Sequence, residues 1–223
     1  MEETRLPSLS PEAIFDSLYV VRFSTPKGYA ITTGEVTYFC YLACLLSVYE
    51  GKPADEWGYQ FAATKTISPY SASLAQSIGA LAAGGRLDAS GQGYVSNDLA
   101  DADYQIFSAQ SLFAGRSRYL RAACNSSLMI PLPAVGAALN NEPTLQRALS
   151  ISASRELLSD ESGPQGLHRH FERLAEELPD RSDLFVAAVT WISELASIDD
   201  HGDAEESTSS ADQDVASEVS GEL

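Results

Sequence analysis

Ile67-Ser-Pro-Tyr-Ser-Ala-Ser-Leu-Ala-Gln-Ser-Ile-Gly-Ala-Leu-Ala-Ala-Gly-Gly-Arg-Leu87, continued by Gly91-Gln-Gly-Tyr-Val95, is the stretch on which the fold turns. Ser71 stands where a helix cap belongs. Leu74, Ile78 and Leu81 then recur at steps of four and three, which gathers them on one face, and Gly84-Gly85 ends the run. Arg86-Leu-Asp88 and Tyr94-Val-Ser96 are β-prone and are joined by glycine-rich turn residues, the composition of a small hairpin. A helix followed by a hairpin packed beside it closes a winged helix when two further helices precede it.

Two candidates do precede it. The first runs from about Gly34 to Gly51, with Tyr38, Tyr41, Leu42, Leu45, Leu46 and Tyr49 on one wide apolar face, and should be a core helix. The second is a short helix over Ala54 to Thr64 that buries Trp57, Phe61 and Ala62. The winged-helix-like module is thus expected at about Gly34 to Asn97. Upstream, Ser10-Pro-Glu12 is a helix start, with Ser10 as cap, Pro11 in the first helical position and Glu12 at the positive end of the dipole. That helix should reach about Phe23, with Thr25 to Thr33 as a connection.

From Leu99 onward the sequence predicts helical segments at Asp103–Phe113, Arg116–Met129, Ala134–Leu139, Glu142–Leu158, Gln165–Leu178 and Ser182–Ile198. Leu167, Phe171, Leu174 and Leu178 form an amphipathic stripe, and the last two segments should make a helical hairpin across Pro179. From Asp199 to Leu223 there are nine Asp or Glu and no Lys or Arg, among Ser and Gly, so this tail is expected to be disordered. The expected fold class is mainly α. A winged-helix-like N-terminal part with a small β-hairpin (1–98) is followed by a helical C-terminal part (99–198) and the acidic tail (199–223).

The chain has 223 residues, 44% of them hydrophobic, enough for a real core without disulfide or metal staples. The opening Met1-Glu-Glu-Thr-Arg-Leu-Pro7 lacks the basic and long apolar regions of a secretory signal. The apolar run Tyr38 to Tyr49 is far shorter than the ~20 residues of a membrane span. Cys40, Cys44 and Cys124 form no even disulfide framework, so a reducing, cytoplasmic location is expected. Asn125-Ser-Ser127 matches a glycosylation acceptor only by chance in that setting.

The net charge of −17, about half of it in the tail, argues against duplex DNA as partner. Reading bases calls for Lys, Arg, Asn or Gln on the helix that enters the groove. The helix after Ser71 offers only Gln76, with Lys65 and Arg86 flanking it. Its small residues Ala72, Ala75, Ser77, Gly79, Ala82 and Ala83 instead suit close packing of another helix. A basic cluster exists at Arg116, Arg118 and Arg121. It has two readings: internal pairing with acids such as Asp101 or Asp103, or docking onto an acidic partner surface or nucleic acid.

No catalytic motif is present. Gly-x-Ser-x-Gly, Walker A, Gly-x-Gly-x-x-Gly and His-Glu-x-x-His are all absent. His168 and His170 point in different directions two residues apart, and His201 is in the tail. Cys124 with His168 is the least implausible nucleophile and base. Cys40 and Cys44 lie four apart, a spacing for two metal ligands, but zinc wants four and no others are near, so buried packing is expected. No enzyme activity, cofactor or metal is expected.

The Pro-Tyr-Ser turn at Pro69, the helix with Leu74, Ile78 and Leu81, and the following short wing resemble two groups of small bacterial proteins. One is the Panacea-type antitoxin domain. The other is the winged-helix middle component of three-component anti-phage systems built around an SMC-like or Rad50-like ATPase. The likeness covers roughly residues 34–97. Its second form implies a non-catalytic accessory subunit that joins the ATPase to an effector such as a nuclease, with Gln76, Arg116, Arg118 and Arg121 as partner contacts. Its first form implies an antitoxin that masks a basic toxin. A winged-helix transcriptional regulator is a third reading.

Overall fold

Ser10 begins the fold as the sequence predicts. In the computed structural model, which describes residues 9–64, 69–150, 155–158 and 165–197, its hydroxyl accepts from the Ala13 amide at 3.1 Å and starts α1 (Pro11–Ser24). A 3-10 turn at Thr25–Lys27 follows, and Ile31 then forms an isolated antiparallel bridge with Tyr94. α2 (Thr33–Tyr49) starts with a capping box: the Thr32 hydroxyl accepts from the Glu35 amide, and the Glu35 carboxylate accepts from the Thr32 amide at 2.7 Å.

α2 is the core helix that the sequence predicts, and its burial extends beyond the one wide face expected. Nearly every residue from Val36 to Val48 is buried, because α1 packs on it together with five other helices introduced below. Tyr-Phe-Cys-Tyr-Leu-Ala-Cys-Leu-Leu-Ser-Val leaves no polar side, and a helix apolar all round belongs in the middle of a protein. Cys40 and Cys44 pack in that core, as expected.

The helix expected over Ala54 to Thr64 is not formed. Ala54–Trp57 makes one 3-10 turn. Gly58 then takes φ +87, a left-handed conformation that stops the turn. Phe61–Ala63 continues as strand β1. It pairs antiparallel with Arg155–Leu157, and on its other side Ala62 exchanges backbone hydrogen bonds with Tyr70 at 2.7 and 2.8 Å. Trp57 and Phe61 are buried as the sequence suggests, while Ala62 is half-buried.

α3 (Ala72–Ala83) buries Leu74, Ile78 and Leu81. Ser71 stands at its N-cap, but the side chain makes no capping hydrogen bond, contrary to expectation. β2 (Leu87–Ser90) and β3 (Gly93–Ser96) form the expected hairpin, in register from Leu87 opposite Ser96 to Ser90 opposite Gly93. The Ile31 and Tyr94 backbones exchange hydrogen bonds at 3.0 and 2.9 Å, tying the hairpin to the segment before α2. α1 packs against α2, α3 and β3. The third helix packed around α3 and the hairpin is therefore α1, which begins at Pro11, upstream of the expected Gly34.

Gly93 is what lets the hairpin approach. A Cβ there would lie 2.8 Å from the Ile31 carbonyl oxygen and 2.9 Å from the Ala30 carbonyl carbon, both main-chain atoms that cannot swing aside. Gly93→Ala is expected to cost about 1–3 kcal/mol, the range of small overpacking substitutions. Gly79→Ala, where an added Cβ meets nothing within 4 Å on α3, is expected to gain about 0.5–1 kcal/mol from helix propensity. Urea unfolding followed by circular dichroism separates the two; equal midpoints would remove the tight approach as an explanation.

The second half is helical, with shifted boundaries. Asn97 caps α4 (Asp98–Ser108) by accepting from the Leu99 and Ala100 amides, so this helix starts before the expected Asp103. α5 (Ser111–Ser126), α6 (Leu132–Asn140) and α7 (Pro143–Ser150) follow. The segment expected as one helix from Glu142 to Leu158 ends at Ser150 and re-forms as β4 (Arg155–Leu157), which the pairing with β1 holds extended. α8 (Gln165–Glu177) and α9 (Leu184–Ser197) pack together as the expected pair, with the Phe171 and Trp191 rings 5.2 Å apart. The helices around α2 are thus α1, α3, α5, α6, α8 and α9. Buried residues on both sides of Asn97 belong to one continuous cluster, in which Phe15 stacks on Phe113 at 4.7 Å. Ile67 and Ser68, Ile198 and the acidic segment 199–223 lie outside the described residues.

Candidate interaction surface

α3 turns Ala72, Gln76, Gly79 and Ala83 to solvent at steps of four, three and four. Gln76 is exposed on a smooth strip of small residues that holds no Lys or Arg. Of the other small residues expected on this surface, Ala75 and Ala82 are half-buried and Ser77 is buried.

The three arginines of α5 part company. Arg116 points inward, with 9% of its side chain exposed, and its guanidinium grips Asp16 through two hydrogen bonds of 2.6 and 2.7 Å. Asp16 is fully buried in α1 and also accepts from the Tyr59 hydroxyl at 2.5 Å. The Arg116 guanidinium lies 3.7 Å from the centre of the Trp57 ring. Burial raises the Asp16 pKa, against the pull of Arg116 and Tyr59. Burial draws the Arg116 pKa down, and the Asp16 charge more than reverses this.

Arg118 pairs with Glu50 at the end of α2, and its guanidinium donates to the Tyr119 hydroxyl, which in turn donates to Glu50. Arg121 is exposed. The internal pairing weighed for this cluster therefore exists, with other acids than expected: Asp101 is taken by Arg22 and Asp103 by Arg86. Of the four residues expected to touch a partner, Gln76 and Arg121 face solvent, Arg118 is partly exposed and engaged, and Arg116 is inside.

Sequence reading missed Asp16 and Tyr59. Asp16 is the one acidic residue within the apolar run Ala13-Ile-Phe-Asp-Ser-Leu18, and a lone carboxylate on a core-facing helix calls for a cation.

A cavity of about 940 Å³ opens between the end of α2, β1, the start of α3 and the start of α8, lined among others by Lys52, Asp55, Gln60, Tyr70, Ser73, Glu156 and His168. Cys44 is the thiol on its wall; burial raises its pKa strongly, so it stays protonated. Cys124 is fully buried in α5 and does not line the cavity that His168 borders. His170 sits 3.2 Å from Glu194, and burial lowers its pKa against the pull of that carboxylate. Among the described residues, no group of three or more His, Cys, Asp or Glu is placed to hold a metal ion, and no helix is long and apolar enough to cross a membrane. Compared with known proteins, the chain matches no family model, no curated protein and no solved structure.

Proposed function

We propose that this protein is a non-catalytic accessory subunit that works in the cytoplasm of a bacterium by binding an SMC-like or Rad50-like ATPase, an effector, or both, in an anti-phage defence complex. α1, the Ile31 bridge, α2, α3 and the β2–β3 hairpin follow one another in the order of a winged helix. The observation that carries the reading is the outer face of α3. In the position that reads DNA in such modules it presents Ala72, Gln76, Gly79 and Ala83 without a cation, which suits a protein surface and not phosphate. Arg116 and Arg118, engaged by Asp16 and Glu50, add little to a phosphate-binding surface.

Affinity purification of the tagged full chain from its own host, read by mass spectrometry beside a version ending at Ile198, tests this. Recovery of the ATPase is the expected result, and the shortened version reads the role of the acidic segment. Recovery of only a small basic protein overturns the reading in favour of an antitoxin. A low-salt gel shift with genomic fragments that gives a sequence-specific complex overturns it in favour of a regulator.

A further inference from the structure

α4 has two apolar faces, and only one of them is used. Ala100, Tyr104 and Phe107 turn inward: the Phe15 and Tyr104 rings stack 5.8 Å apart, and the Arg22 guanidinium covers Tyr104 at 4.0 Å. Leu99, Ala102, Ile106 and Ala109 follow one another at steps of three, four and three along the opposite side and are all exposed. Leu99 is 55% and Ile106 64% exposed. Scattered exposed leucines are ordinary, but a straight apolar stripe along one helix marks a contact surface.

Charge says what fits it. The stripe is bordered by Asp98 and Asp101 with Gln105 on one side and by Asp103 with Gln110 on the other, and residues 97–115 contain no Lys or Arg. Arg22 and Arg86, which neutralise Asp101 and Asp103, come from other elements. We propose that this outer face of α4 docks an amphipathic helix of a different protein, whose apolar residues at i, i+3 and i+7 lie between Lys or Arg. A second copy of this chain is the poorer occupant. Two molecules of net charge −17 repel one another, and with Asp101 and Asp103 already paired to Arg22 and Arg86, α4 adds Asp98 of each copy to that repulsion. The proposal deepens, and rests on, the reading of the chain as a partner-binding subunit.

The test titrates fluorescent synthetic helical peptides of Leu and Lys, and of Leu and Glu with the same apolar spacing, into the full chain at physiological salt. The Leu/Lys peptide is expected to bind, and the doubly substituted Leu99→Ser, Ile106→Ser protein to bind it at least roughly tenfold more weakly, a loss typical of central anchors. Both side chains are exposed, so the variant should keep its circular dichroism and melting temperature. Equal affinity of variant and wild type shows that charge alone holds the peptide and overturns the proposal, as does equal binding of the Leu/Glu peptide. Sedimentation that detects a wild-type dimer lost in the variant overturns it in favour of a second copy. The two proposals part in the host purification. An ATPase recovered undiminished with the double variant removes this face and leaves the accessory reading intact. Recovery of neither an ATPase nor an effector with the wild type removes that reading, while the peptide titration still decides the face.

Discussion

Replacing Arg116 by methionine is expected to destabilise the protein by about 3–5 kcal/mol at neutral pH, the cost of leaving one member of a buried ion pair alone. Asp16 has no solvent exposure, and among the described residues its carboxylate accepts from the Arg116 fork and the Tyr59 hydroxyl. Methionine keeps apolar volume against Trp57 but withdraws the charge. The Asp16 pKa is already raised by burial, and loss of the guanidinium raises it further. A carboxyl whose folded pKa lies above its unfolded value takes up a proton on folding. Its favourable contribution is complete below the unfolded pKa of about 3.9 and is lost as pH rises through the folded value. The Arg116→Met loss should therefore shrink at acid pH. Adding Asp16→Asn, which keeps an acceptor for Tyr59 and removes the charge, should restore much of the stability at pH 7. Urea unfolding at two pH values measures all three proteins. A single-variant loss below about 1 kcal/mol, or a double variant no better than the single, would show that the pair does not hold α1 to α5.

The parts of this fold legible in the sequence are those that local chemistry determines. Ser10-Pro-Glu12 starts α1, Leu74, Ile78 and Leu81 define α3, and the glycines between Leu87 and Ser96 turn the hairpin. Thr32-Thr-Gly-Glu35 carries the capping-box signature that sets the start of α2. What was not legible is non-local. The three-residue strands at Phe61 and Arg155 are too short to show a period of two, and each is a strand because the other is there. Asp16 and Arg116 meet across 100 positions of sequence, so the internal pairing weighed for the arginine cluster was assigned to the nearer acids Asp101 and Asp103. The outer stripe of α4 has a readable spacing, but Ala100, Tyr104 and Phe107 compete with it on the same helix. Only packing decides which face the core takes.

Glu142→Ala is expected to cost about 2–4 kcal/mol, because one buried carboxyl serves three donors. Its Oε1 accepts from the Thr144 amide at 2.8 Å, and its Oε2 from the Leu145 amide at 2.8 Å and from the Tyr41 hydroxyl at 2.9 Å. The two amides are the first of α7, so alanine removes a helix cap worth about 1 kcal/mol. It also strands the hydroxyl of a fully buried tyrosine at about 1–3 kcal/mol. Tyr41→Phe removes donor and need together and should cost only about 1 kcal/mol. The two substitutions combined should then cost less than their sum, since both act on one hydrogen bond. Burial raises the Glu142 pKa although all three donors oppose it. Glu142 therefore favours the folded state most below its unfolded pKa of about 4.3, and this contribution is lost as pH rises through the folded value. Glu142→Gln should remove that part of the pH dependence in urea titrations across the acid range. A Gln variant with an unchanged slope would mean that Glu142 is ionised equally in both states, with its three donors fully offsetting its burial. An Ala variant as stable as the wild type would mean that α7, and the strand Arg155–Leu157 beyond it, are held by Leu145 and Ala148 in the core and not by this cap.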